Sequence, residues 1–374
     1  MKDLASAVGL IRGQHDGYIY SVFDSGCRPP LNELMTLTNE AWVADYAVAN
    51  RAIFKYDKEY LQWLMPEGHF FCTWARSADG EAAGCLVHVE RDFFCQGRWF
   101  KAYYGTLLSV SPRHRGRGIG ERLIHFALDW AFEARGAELE VGMFDLGQAG
   151  RPVHVKSVRS YGRGFDIVET GPITVWVTTA NLAKGVRYEP LQGITRVAAW
   201  PGVSRLFEFH ASSSDLAVTP VPPMPPDHNR LANACTMGFG WTGSVPVMYA
   251  GNGPSGGTFG FAFGANERCA IAYHVVTLIK RGEPDGKVGV IQFIDRGTAT
   301  VASNVRAIRH VTARLLTAGC FAVLILDTGV LPRRALLCAR YVPTPRKVSF
   351  DISGQRERLE SLGSLSTPYF IDMY

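Results

Sequence analysis

Leu107-Leu108-Ser109-Val110-Ser111-Pro112-Arg113-His114-Arg115-Gly116-Arg117-Gly118-Ile119-Gly120 decides how this chain is read. A strand runs into it from Trp99 and stops at Pro112, which has no N–H for a ladder. Three glycines follow on alternate positions. They permit left-handed backbone and close approach to a ligand. A helix then begins: Ile119, Leu123, Phe126, Ala127 and Trp130 share one apolar face. Gly136 stands where a left-handed C-terminal residue is expected. The N–H groups of such a turn and helix start attract an anion, and Arg113, Arg115 and Arg117 add positive charge. A pyrophosphate suits this cradle.

Outward from the motif, helix and strand signals alternate. Upstream, helices are expected over Leu31 to Ala49 and Asp57 to Leu64. Strands are expected over His69 to Ala75 and Ala82 to Val89, then a hairpin at Gln96-Gly97. Downstream come a strand at Leu139 to Phe144, a helix near Val153 to Tyr161 and a strand from Phe165 to Val177. The second half repeats the order at an offset of about 183 residues. It has a strand Cys269 to Ile279, a turn Glu283-Pro284-Asp285-Gly286 and a strand Val288 to Ile294. A helix Asn304 to Thr317, a strand Ala322 to Leu326, a helix from Pro332 to Tyr341 and a strand Val348 to Ile352 follow. The segment Val218 to Pro226 is rich in proline and reads either as a stiff connector or as a surface loop. The glycine-rich stretch Gly238 to Gly264 reads as a mobile loop.

Composition bounds the function. The 374 residues are 47% hydrophobic and 20% charged, which supports full cores rather than disorder. A net charge of +5 is too mild for a dedicated nucleic-acid binder. No apolar run approaches the ~18 residues of a membrane span. Asp3 and Arg12 leave too short an apolar stretch for a signal peptide. Eight cysteines without a C-x-x-C pair make neither a disulfide framework nor a metal site. The expectation is a cytoplasmic protein with no metal.

The G-x-G-x-G spacing fails the dinucleotide fingerprint G-x-G-x-x-G, and no G-K-[ST] of a Walker loop is present. The segment instead resembles the GNAT N-acyltransferase superfamily, whose signature is V-x-P-x-x-[RQ]-x-x-G-x-[GA]. Val110, Pro112, Arg115, Gly118 and Gly120 match it, and the order of elements over about residues 15 to 180 is similar. The second half has Asp295-Arg296-Gly297-Thr298 where the motif would stand, without paired glycines. The fold class expected is α/β (a mixed α+β sheet) with two GNAT-like domains in tandem. Each would be a central, mostly antiparallel sheet flanked by helices: a catalytic copy at 1–180 and a degenerate copy at 181–374.

The resemblance implies acetyl-CoA, or another acyl-CoA, as co-substrate. Backbone N–H groups of Arg115, Gly116, Arg117, Gly118, Ile119 and Gly120 would hold its pyrophosphate. Leu108, Ser109 and Val110 would pair with the pantetheine arm, and the Leu108 N–H would polarise the thioester carbonyl. The strand Leu139 to Phe144 would splay away, and the thioester would enter the gap. A primary amine of a small molecule or peptide would attack directly once a base has taken its proton. Glu140 and Asp145 lie on or beside the splayed strand and Glu90 and Asp92 on the neighbouring hairpin; each of the four also reads as a solvated surface charge, and Asp145 is the first choice of base. Tyr161 is the candidate acid for the leaving thiolate, although it stands one residue closer to Gly164-Phe165 than the family pattern, which puts Ser160 in its register. His154 stands near the place of a family asparagine, and His114 is expected near phosphate.

In some tandem members the idle copy walls the acceptor pocket and the C-terminal carboxylate serves as base, which here would be that of Tyr374. Two other readings stay open. One is a noncatalytic acyl-CoA-binding sensor or scaffold. The other is a transferase of longer acyl chains from CoA or carrier protein, in a channel lined by Trp99, Phe100, Tyr103 and Tyr104. A homodimer is compatible with the strand-rich pattern, and neither nucleic acid nor membrane is expected as partner.

Overall fold

The computed structural model describes residues 10–24, 26–48, 51–147, 150–182, 188, 205, 208–222, 237–241, 256–363, 365 and 369–370. Most of the Pro-rich segment's second part and Tyr374 lie outside the described residues.

Asp16 and Gly17 both adopt positive φ, 48° and 80°. They close a hairpin between β1, Leu10–His15, and β2, Tyr18–Asp24. An Asp-Gly pair suits the turn whose twist matches its strands, so two strands precede the first helix where the sequence reading began with helices. After α1, Leu31–Val48, come the short strand β3, Ile53–Lys55, and α2, Lys58–Leu64, which Asp57 caps by accepting from the Tyr60 N–H. Then β4, Phe70–Ser77, β5, Ala82–Cys95, and β6, Arg98–Val110, form an antiparallel meander with β2. The Gln96-Gly97 hairpin is where the sequence put it, with φ of 46° and 84°.

Helix α3, Ile119–Leu128, buries Ile119, Leu123, Ile124, Ala127 and Leu128 against this sheet. It runs on as a π-helical turn over Asp129–Ala134 and ends before Gly136, whose φ is 65°. It is the crossover that makes β7, Leu139–Asp145, parallel to β6. Helix α4, Gly150–Tyr161, follows. The expected single strand beyond it is two, β8, Phe165–Glu169, and β9, Ile173–Thr179, because Gly171-Pro172 interrupts the ladder.

The second half opens with a short helix α5, Ser213–Leu216, then β10, Pro220–Val221, and β11, Met237–Trp241. Next is β12, Gly256–Phe263, paired along its whole length with β13, Glu267–Lys280. The stretch read as a mobile loop therefore holds strands at both ends; its glycines hid the alternation of Phe259, Phe261 and Phe263. Gly282, at φ 84°, makes the turn to β14, Glu283–Asp295, so the reversal comes just before the Glu283–Gly286 stretch expected to form it. Helix α6, Val301–Thr317, is capped by Thr300, and β15, Ala322–Leu326, lies parallel to β14. Helix α7, Arg333–Cys338, strand β16, Val342–Gln355, helix α8, Arg356–Glu360, and β17, Tyr369–Phe370, complete the order.

Each half thus holds a hairpin followed by a parallel crossover, with Ala102 opposite Leu139 in the first and Val288 opposite Ala322 in the second. The long last strands are exchanged. Strand β16 lies beside β7 and β8 of the first half, while β9 lies beside β15 of the second. The strands join into one mixed sheet with helices on its faces. One apolar cluster, with Phe93, Tyr104, Val141, Val290 and Phe350, draws on both halves.

Candidate active site

Strand β6 carries the determining irregularity. Its register against β5 shifts between Val87↔Thr106 and Cys85↔Ser109, and Leu107 adopts φ 56°. A bulge of this kind inserts one unpaired residue and bends its strand. On the other edge, pairing with β7 ends at Gly105↔Gly142. Beyond that point the two strands part, as the sequence reading expected. Strand β7 does not collapse back, because Gly142 to Asp145 is held on its far side by β16, from Asp351 to Val348.

The gap opens into a cavity of about 130 Å³. Thr106, Leu107 and Leu108 line one side, and Met143, Phe144 and Asp145 the other. Trp42, Tyr46 and Tyr56 close it from the α1 region; Val175, Leu324, Arg346 and Val348 close it from β9, β15 and β16. Trp42 is fixed by donating its indole N–H to Ser109 Oγ at 3.0 Å and by stacking on Tyr46 at 6.0 Å.

The glycine turn lies at the end of β6. Gly116 and Gly118 hold φ of 75° and 74°, conformations that cost other residues about 1–2 kcal/mol. Gly118 is the N-cap of α3 and no side chain caps the helix. Its first turn, Ile119 to Glu121, therefore offers the orphan N–H groups that suit an anion. The arginines of the turn are engaged in bracing it. Arg115 reaches Asp45 at 2.7 Å and the Ala41 carbonyl at 3.0 Å, Arg113 pairs with Glu81 at 2.9 Å, and Arg117 donates to Tyr18 Oη at 2.9 Å. His114 is buried between Tyr18 and Glu81.

Of the expected proton-transfer residues, Glu140 and Asp145 reach the cavity. Tyr161 does not line it. Its hydroxyl donates to Asp129 Oδ1 at 2.6 Å, and its ring meets Phe165 edge-on at 5.1 Å. The Ser160 hydroxyl turns to Glu121 at 3.1 Å. Asp145 is buried, with Arg346 Nε at 2.7 Å and Arg51 Nη1 at 3.7 Å. Burial pushes the neighbouring Tyr46 hydroxyl well up despite Arg346.

Glu140 is 1% exposed and stands between two histidines that the sequence reading did not join to it. His88 of β5 places Nε2 at 2.9 Å from Glu140 Oε1, and His154 of α4 places Nε2 at 3.2 Å from Oε2. Burial alone would raise the Glu140 carboxyl. The charge and hydrogen bonds of His154 and then His88 outweigh it and hold the group well below the carboxylate range. Gly105 makes room for this cluster: a Cβ there would lie 3.1 Å from both Glu140 Oε1 and His88 Nε2. The signal available in the sequence was a histidine at an inward position of an apolar strand, which needs a buried partner. Among the described residues no group of three or more His, Cys, Asp or Glu is arranged to hold a metal ion, and no helix is long and apolar enough to cross a membrane.

Residues 31–150 match the profile of the acetyltransferase (GNAT) family. Among solved structures, the chain is similar to Saccharomyces cerevisiae N-myristoyltransferase with bound myristoyl-CoA. One such structure gives a TM-score of 0.62 at 10% identity, covering 91% of this chain and 84% of that one. Another gives 0.63 at 11% identity, covering 91% and 80%. No curated protein sequence matches the chain.

Proposed function

We propose that the chain, whose residues 31–150 match the acetyltransferase (GNAT) family, is an acyltransferase of that superfamily moving an acyl group from acyl-CoA to a primary amine. The observation that carries this reading is the parting of β6 and β7 beyond Gly105↔Gly142, beside the uncapped glycine turn of α3. Backbone N–H groups of Arg115 to Gly120 hold the pyrophosphate. The pantetheine arm runs along Leu108, Ser109 and Val110. The thioester enters the gap, where the Leu108 N–H, freed by the bulge at Leu107, donates to the carbonyl oxygen as negative charge develops there. The amine attacks from the cavity side walled by α1, β15 and β16. The second half acts as a degenerate tandem copy that supplies this wall.

Acetyl-CoA is the first donor to test. A long-chain donor is the second reading, favoured by the likeness over 91% of this chain to a fold solved with myristoyl-CoA and by the aromatic and aliphatic cavity wall. The acceptor is a small-molecule or peptide amine. Calorimetry with acetyl-CoA and myristoyl-CoA, on wild type and Gly118→Trp, tests the site. Binding by wild type that the variant loses at least tenfold is expected. Equal binding by both would refute the assignment of the turn.

A further inference from the structure

We propose that His154 is the proton shuttle of the acyl transfer, with Glu140 and His88 as its positioning residues; this rests on the acyl-CoA reading above. Three separate elements converge to build the group: β5 supplies His88, β7 supplies Glu140 and α4 supplies His154. All three side chains are at least nine-tenths buried, and Glu140 and His154 line the cavity. Buried ion-pair networks of this kind are costly unless every member is satisfied. This one leaves Nδ1 of His88 and of His154 without a hydrogen-bond partner, and of the two histidines only His154 lines the cavity. In its neutral state the ring carries its hydrogen on Nε2, which is turned to the Glu140 carboxylate, and presents a lone pair at Nδ1. A carboxylate that orients an imidazole and stabilises its protonated form is the arrangement by which a histidine both takes and returns a proton.

The location selects the role. Val153, beside His154, packs at the glycine turn: a Cβ on Gly120 would lie 3.5 Å from Val153 Cγ1. His154 lines the cavity with Gly105 and Leu108, where the pairing of β6 and β7 ends, and on the acyl-CoA reading the cofactor's sulfur arrives there. Phe144 covers its ring at 4.9 Å. Tyr161, the alternative acid on the same helix, is turned to Asp129.

In the step itself, the amine lone pair forms the C–N bond at the thioester carbonyl carbon. The C–S bond breaks and its electron pair leaves on sulfur. Nδ1 of His154 accepts one proton from the attacking nitrogen and returns it to the sulfur. Amide and free thiol are released, and the protein ends with its protons unchanged. The charged groups around the shuttle are Glu140 of β7, His88 of β5, Arg151 one turn earlier on α4, and Asp351 of β16, which Arg151 pairs at 2.8 Å.

The test needs no acceptor. Free CoA is bound to the intact protein, and ionisation of its thiol is followed by the ultraviolet absorbance of the thiolate as pH is varied. With the imidazole beside it, bound CoA should carry about tenfold more thiolate at neutral pH than free CoA, as a cysteine does beside His⁺. His154→Gln should still bind CoA and return the thiol to the free value. Glu140→Gln should move it in the same direction, and it carries the test alone if the first variant does not fold or bind. An unchanged thiolate fraction in CoA-binding variants overturns the proposal. Failure of wild type to bind CoA at all would instead overturn the acyl-CoA reading, and this inference with it.

Discussion

Removing the carboxylate from between His88 and His154 should be among the costliest single changes in the first half. Glu140 accepts from both imidazoles at 2.9 and 3.2 Å and is 1% exposed. Glu140→Ala strands two buried N–H donors, at about 1–3 kcal/mol each, and leaves a void where the carboxyethyl group stood. A total of about 3–5 kcal/mol is expected, the range for breaking a buried pair. Glu140→Gln keeps the volume. Its carbonyl accepts from one histidine, and the other must change tautomer to accept from the amide, so the loss should be about 1–3 kcal/mol. Urea unfolding at pH 7.5, followed by tryptophan fluorescence, measures both. The pH dependence has a definite sign. The folded carboxyl ionises well below its ordinary 4.5. Its contribution is therefore complete above that value and is lost as pH falls below it. The gap between wild type and Glu140→Gln should hold from pH 7 to 5 and shrink toward pH 3. A glutamine variant within 0.5 kcal/mol of wild type at pH 7.5, or an alanine variant no worse than glutamine, would refute this account of the cluster.

Tyr161→Phe should leave turnover within about twofold and cost about 1 kcal/mol of stability, because it removes hydrogen bonds to Asp129 and from Arg163 that lie away from the cavity; a tenfold fall in kcat would restore it as the acid. In the second half, Asp215 grips Arg309 at 2.6 and 2.8 Å, and these bonds overcome burial to bring its carboxyl down to about 2. Asp215→Asn should be less stable than wild type by about 1.5–3 kcal/mol at pH 7, with the difference vanishing as pH falls from 4 to 2, as acid unfolding curves of the pair would read.

What the sequence made legible was local chemistry. Gly116, Gly118 and Gly136 stand where the backbone requires positive φ, and Pro112 stands where a ladder must stop, so strand, turn and helix could be placed without knowing their neighbours. Asp16-Gly17 was equally local and passed unused. Strand partners were another matter. Val348 to Ile352 reads as a strand from its alternation, yet nothing in that pattern says that it lies beside β7 rather than beside β15. The same holds for the polar cluster. Glu140 was visible as a carboxylate on the splayed strand, but His88 and His154 reach it from 52 and 14 residues away in sequence. That meeting depends on β6 lying between β5 and β7, with Gly105 opposite both His88 and Gly142.

The exchange of β9 and β16 ties the two halves to one site. A parallel pair that parts beyond Gly105↔Gly142 leaves β7 without a ladder on its β6 side. Strand β16 holds β7 from its other edge, opposite Gly142 to Asp145, and brings Arg346 and Val348 to the cavity. Strand β9 makes the reciprocal contribution, pairing with β15 from Val175↔Leu326 to Thr179↔Ala322 and placing Val175 beside Leu324 in the wall. The second half has no glycine turn of its own, yet the gap in the first half is held open by its strand. The second half thus shapes the geometry of the first half's site, and substitutions along β16 bear on the cavity as directly as substitutions along β6.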